Sequence, residues 1–236
     1  KQVLLANRSG QLLQFAARVA FRLCGSVLST DLSWPAYRDC LNQVAQQTGQ
    51  QLHILPLRDA ILNQQLTEHE VVETIADAYT RAGCQGLFLP AIDNLGVRLP
   101  VQTIVQALKN RTEVRFVMVD GAQAIGQVSC QDFVDSCDFF VAGTHKWLRA
   151  YQPLGIGVCG RSSTREIIET CLANWLRDRS LDDPLLRFTR QLDNKQGDGF
   201  SETVNISPLF SGRAAITDLF AVNEQATLPS TYQASN

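Results

Sequence analysis

Arg115-Phe116-Val117-Met118-Val119-Asp120-Gly121-Ala122-Gln123-Ala124 and, further along, Cys137-Asp138-Phe139-Phe140-Val141-Ala142-Gly143-Thr144-His145-Lys146-Trp147 decide the fold of this chain. Each is an apolar run of strand length that stops at residues able to do chemistry. Asp120 ends the first run, and His145 and Lys146 follow the second. A third run, Leu154-Gly155-Ile156-Gly157-Val158, comes soon after. Short apolar runs bounded by turn residues read as strands buried on both faces.

The same rhythm extends outward in both directions. Strands are predicted at 2–6, 26–30, 51–55, 86–90, 114–119, 137–142 and 154–159, with amphipathic helices near 11–24, 35–49, 68–83 and 100–110. Within 68–83, Val71, Val72, Ile75, Ala76 and Tyr79 are spaced for one buried helix face. Pro100 suits the first turn of the helix it opens. Strands alternating with helices imply an α/β fold: three layers, α/β/α, around a mainly parallel seven-stranded sheet. After Arg161 the pattern changes. Ser162-Ser163-Thr164 can cap a helix running to about Leu176, residues 177–205 read as a long polar loop, and a last helix covers Pro208 to Val222. Residues 1–160 are therefore expected to form the sheet and its helices, and residues 161–236 the remainder of the same domain with a polar tail from Leu228. Strand-like sequence begins at once at Gln2 and the first residue is not Met, so the chain reads as the middle of a longer polypeptide.

The chain has 236 residues, 45% of them apolar, enough for one sizeable core. A net charge of −2 offers no basic surplus for nucleic acid or an anionic membrane. No apolar run is long enough to span a bilayer. The seven cysteines (24, 40, 84, 130, 137, 159 and 171) form no C-x-x-C pair, and there are three histidines. A zinc site is not expected. Buried, reduced thiols in a cytoplasmic protein are.

An Asp at one strand end and a His-Lys pair at the next can face one ligand, because in open α/β sheets ligands lie beyond the carboxyl ends of the strands. The pairing suits pyridoxal phosphate (PLP), whose aldehyde bonds to a lysine as a Schiff base and whose protonated ring nitrogen needs a carboxylate. Lys146 and Asp120 are the candidates. Bulky Trp147 and Leu148 after the lysine suggest partial enclosure. Gln123, one turn beyond Asp120, can hydrogen-bond the ring hydroxyl. Asn7-Arg8-Ser9-Gly10-Gln11 joins the first strand to the first helix and can cradle a phosphate at the free N–H groups of the helix start. Trp34, after the second strand, can stack on the ring, and Asn94 follows the fourth strand. Taken singly, each residue also has a plain use: turn, cap, core or surface. Gly155-Ile156-Gly157-Val158-Cys159-Gly160 matches G-x-G-x-x-G, yet its glycines sit inside the strand instead of after it, which speaks against a nicotinamide site. No G-x-S-x-G is present.

Val119-Asp120-Gly121-Ala122-Gln123-Ala124, Gly143-Thr144-His145-Lys146-Trp147-Leu148 and Pro153-Leu154-Gly155-Ile156-Gly157-Val158 resemble the class V aminotransferase family. This group of fold-type I PLP enzymes includes cysteine desulfurases and isopenicillin-N-epimerase-like proteins, and the weaker resemblance covers about residues 2–222. It implies a Schiff-base role for Lys146, the pyridinium contact for Asp120, the phenolic oxygen for Gln123 and a cofactor or substrate contact for Asn94. Trp34 falls where the family places a ring-stacking residue, often His. Ser9 and Gly10 fall in the phosphate turn, usually richer in Thr. His145 matches the His beside the phosphate. Gly143 stands where a Ser often sits, so Thr144 is the substitute hydroxyl. Thr203 and Asn205 loosely match the segment that reaches the neighbouring subunit's phosphate. The resemblance implies a homodimer and an amino-acid substrate. The family's N-terminal segment and C-terminal small domain, with its substrate-binding arginine and the desulfurase cysteine, are expected to lie outside the 236 residues. The expected activity is a PLP-dependent transferase or lyase, aminotransferase-like or lyase-like. Desulfuration, epimerisation or a non-catalytic relic of the fold are the alternatives.

Overall fold

Alternation along β5 (Phe116–Asp120) shows how the layers arise in the computed structural model, which describes residues 2–64, 66–194 and 203–226. Phe116 and Met118 pack into one apolar cluster, Val117 and Val119 into a second. β6 (Phe139–Gly143) repeats the pattern, with Phe139 and Val141 on the first side and Phe140 and Ala142 on the second. Strands apolar on both faces must lie between two helix layers. Leu12, Phe15 and Val19 of α1 (Ser9–Leu23), Leu41 and Val44 of α2 (Pro35–Thr48), and Ile168 and Leu172 of α7 (Arg165–Arg177) cover one face. Val72, Ile75 and Tyr79 of α4 (Glu68–Arg81), Ile104 and Leu108 of α5 (Val101–Arg111), and Phe133 of α6 (Gln131–Ser136) cover the other.

The sheet has seven strands. β1 (Gln2–Ala6), β2 (Ser26–Thr30), β3 (Gln51–Leu55), β4 (Gly86–Pro90) and β7 (Gly155–Cys159) join β5 and β6 in the order β1-β7-β6-β5-β4-β2-β3. β7 runs antiparallel to both its neighbours, and the other pairs are parallel. This is the three-layer, mainly parallel sheet that the sequence implies. Local signals set the helix ends. Thr67 and Glu70 form a reciprocal cap at the start of α4, and Gly49 ends α2 in the left-handed region at φ 67°.

Differences from the sequence reading lie in short or charged segments. α3 (Arg58–Gln64) and α6 were not anticipated, and α1 begins at Ser9 instead of residue 11. α9 (Ser207–Ala226) is longer than the predicted final helix. The stretch read as a polar loop contains a helix, α8 (Pro184–Asp193). Asp183 caps it by accepting from Leu186 N, Pro184 fills the first turn, and Leu185 and Leu186 are fully buried. Beside the two buried leucines, Asp183 caps the helix and Arg187 and Arg190 pair with Asp182 and Glu169. The remainder of that loop (195–202) and the tail from 228 lie outside the described residues.

Candidate active site

Three strand ends meet in one row of the sheet. Ala6 pairs with Gly155, and Gly155 pairs with Gly143. The turn after β1 and the turn after β6 are therefore neighbours, although one opens the chain and the other lies past its middle. Gly155 is essential to this approach, since a Cβ there would sit 2.5 Å from the Arg8 carbonyl carbon and 2.7 Å from Ser9 N. At Gly143 a Cβ would sit 3.0 Å from His145 Cε1 and 3.6 Å from Ser9 Oγ. The ring of His145 and the hydroxyl of Ser9 thus converge on one spot above β6.

Below that spot, Asp120 ends β5 on the α1–α2 side of the sheet, continuing the Phe116–Met118 face. It is 6% exposed. Its Oδ1 accepts from Ala122 N at 2.9 Å, while Oδ2 has no hydrogen bond among the described residues. Burial pushes its pKa up to about 6, against the opposing pull of the Ala122 N–H and the Lys146 ammonium. The charge of the lysine therefore reaches the carboxylate. Burial, with the charges of Lys146 and Arg8, holds the His145 imidazole below its ordinary value, favouring the neutral ring.

Lys146 itself is exposed, so the described residues do not provide the enclosure expected from Trp147 and Leu148. Trp147 instead donates from Nε1 to Gln123 Oε1 at 2.8 Å, tying the Lys146 loop to the turn after β5. Thr144 is fully buried, and its Oγ1 accepts from Leu154 N and donates to Gln152 O. That hydroxyl closes the lysine loop. A cavity of about 630 Å³ lies beside the same loop, lined by Trp147–Tyr151 and by Ser211, Ala214 and Ala215 of α9.

Two residues that the sequence reading passed over shape the site. Tyr37 Oη lies 2.9 Å from Ser9 Oγ, and its pKa is pushed up to about 12 by burial and then by the charge of Asp120. Asp183 accepts from Asn7 N at 2.9 Å and Asn7 Nδ2 at 3.1 Å, clamping the Asn7–Ser9 turn to α8. Tyr37 was legible as position i+3 from Trp34 on the same helix face. The Asp183-Pro184 pair was legible as a helix start.

The family model for class-V aminotransferases matches residues 11–172. The chain belongs to the class-V aminotransferase family. Over 133 residues it is 28% identical to isopenicillin N epimerase of Amycolatopsis lactamdurans, a match covering 56% of this chain and 32% of the epimerase. Among solved structures, ureidoglycine–glyoxylate aminotransferase of Bacillus subtilis superposes with a TM-score of 0.63 at 14% identity, covering 94% of this chain and 53% of that one. A C-DES variant with glycine covalently linked to its PLP cofactor superposes with a TM-score of 0.60 at 15% identity, covering 94% and 55%. The chain thus spans about half the length of these solved relatives and about a third of the epimerase.

Of the residues expected from class-V resemblance, the fold gathers Ser9, Asp120, Gln123, Thr144, His145 and Lys146 around the ends of β1, β5 and β6. Gly10 is exposed in the first turn of α1, where an added Cβ would meet nothing within 4 Å. Trp34 is the N-cap of α2 and is 49% exposed. Asn94 lies in the turn after β4 and accepts a 3.4 Å bond from Arg58 Nη2. Neither bonds to Asp120 or Lys146. Thr203 is exposed just before α9 and likewise makes no bond to the other site residues. The cysteines are free, and burial raises the thiols of Cys24 and Cys159 to about 12 and about 11. Such thiols stay protonated and are poor nucleophiles.

Proposed function

We propose that this chain is the cofactor-binding part of a PLP-dependent enzyme that acts on an amino acid, with an aminotransferase-like or lyase-like outcome. The observation that carries the reading is the buried Asp120 carboxylate, one oxygen uncommitted, within the electrostatic reach of Lys146. The residues fit the group. Asp120 Oδ2 can accept from a ring N–H, the Gln123 amide retains an uncommitted NH2, and Ser9 with the start of α1 offers donors to a phosphate. When bound, PLP supplies an electron sink for charge developing at a substrate Cα.

The chain's own residues do the rest. Lys146 would supply the amine that holds the cofactor aldehyde, and the same amine would hold and return the proton at the substrate Cα. Asp120, in a site of low dielectric, keeps the ring nitrogen charged. Neutral His145 and the Ser9 turn would hold the phosphate, Trp34 would offer an aromatic surface to the ring, and Thr144 fixes the loop that carries Lys146. Asn94 stands at the rim for cofactor or substrate. Thr203 suits the phosphate of a second subunit in a homodimer.

The epimerase match supports a second outcome at the same centre, return of the proton to the opposite face of Cα. Adding PLP to the purified chain should produce a visible band. Borohydride reduction should fix the cofactor on Lys146, located by peptide mass, and Lys146→Ala should abolish the fixation. A chain that stays colourless with excess PLP would sink the proposal. Assaying keto acid, sulfide and racemised product over a panel of amino acids separates the outcomes.

A further inference from the structure

The bond from Trp147 Nε1 to Gln123 Oε1 settles which end of the Gln123 amide faces Trp147 and which is left for another partner. An indole nitrogen only donates, so the amide must present its oxygen to Trp147. The NH2 end is then turned away from Trp147, and it makes no hydrogen bond among the described residues. A freely rotating glutamine offers a donor or an acceptor with little preference. A glutamine held by its oxygen offers a donor only, which suits an oxygen carrying negative charge and disfavours another donor.

The bond also links the two segments on which the site is built, the turn after β5 and the loop after Lys146. Trp147 is 44% exposed, so core packing does not account for its placement. We infer that Trp147 is a positioning residue that locks the Gln123 amide as a hydrogen-bond donor to the ionised ring oxygen of PLP. This rests on the PLP reading above and assigns to Trp147 a task within it. A donor to an anionic oxygen favours the ionised state. Its loss must move the pH at which the bound cofactor's visible spectrum titrates upward.

The test is a spectral pH titration of the PLP-loaded chain and three variants. Trp147→Phe keeps an aromatic ring and deletes the N–H. Its midpoint should rise by about half to one pH unit, and that of Gln123→Leu by about one to two units. Because Trp147 acts through Gln123, the double variant should titrate like Gln123→Leu alone. A Trp147→Phe midpoint equal to that of the unaltered chain, beside a shifted Gln123→Leu, overturns the inference and leaves the PLP reading standing. Additive shifts in the double variant overturn it too, since the two residues would then act independently. An unaltered chain with no visible band defeats the PLP reading and this inference together.

Discussion

The hydroxyls of Tyr37 and Ser9 meet at 2.9 Å, joining the first turn of α2 to the first turn of α1. One hydrogen occupies the contact, so the other hydroxyl hydrogen remains available to an incoming anion. Tyr37 keeps its proton at any working pH, because burial and the Asp120 charge push its pKa up to about 12. Tyr37→Phe preserves the ring beside Phe88 and removes the hydroxyl. Affinity for PLP, measured by absorbance titration, should fall about ten-fold. Affinity for pyridoxal, which lacks the phosphate, should not change. Equal losses for both ligands would place Tyr37 elsewhere in the site.

Asp120 makes the apo chain sensitive to mild acid in a defined direction. Its folded pKa, about 6, lies above the ordinary 3.8 because burial penalises the charge. Between those values the folded state holds a proton that the unfolded state has released, so this group's contribution to stability declines as pH rises towards 6. The loss is on the order of 3 kcal/mol. Denaturant unfolding at a series of pH values should show that slope, and Asp120→Asn should flatten it. A positively charged ring nitrogen reverses the penalty, so PLP affinity should strengthen as pH rises through about 6. In Asp120→Asn the affinity should be weak and nearly constant over the same range.

Removal of the Asp183 carboxylate should damage two places at once. It strips the acceptor from Leu186 N at the start of α8 and from both Asn7 donors beside the site. Asp183→Ala should cost about 2–4 kcal/mol in urea unfolding. Asp183→Asn should also destabilise, since an NH2 must then face a donor on one side or the other. An unfolding midpoint equal to that of the unaltered chain for Asp183→Asn would show that the clamp is dispensable.

Gly155→Ala gives a sharper structural test. Its new Cβ would press on the backbone at Arg8 and Ser9. Stability should fall by about 1–3 kcal/mol, and inorganic phosphate, expected to raise the melting temperature of the unaltered chain, should no longer do so in the variant. Full phosphate protection in Gly155→Ala would mean that the anion binds away from this turn.

The sheet was legible because each strand is a short apolar run closed by turn residues, and Asp120 and Lys146 stood out by ending two of them. Elements held by specific polar bonds were harder to see. α8 buries Leu185 and Leu186 behind a charged surface, so periodicity was weak where the Asp183-Pro184 cap was informative. The Trp147–Gln123 and Ser9–Tyr37 bonds join residues far apart in sequence, and only the strand order brings them together. Thr144 was read as a hydroxyl for the cofactor, whereas its Oγ1 is engaged by Leu154 N, a pairing that no local pattern reveals.

β1 pairs along its whole length with β7, the last strand of the sheet, and touches no other strand. Its hydrogen-bonding partner therefore does not exist until almost the entire sheet has been translated. Of the seven strands, β1 is made earliest and must wait, unpaired, for β7, and the anion-holding turn behind it is completed only by that late closure.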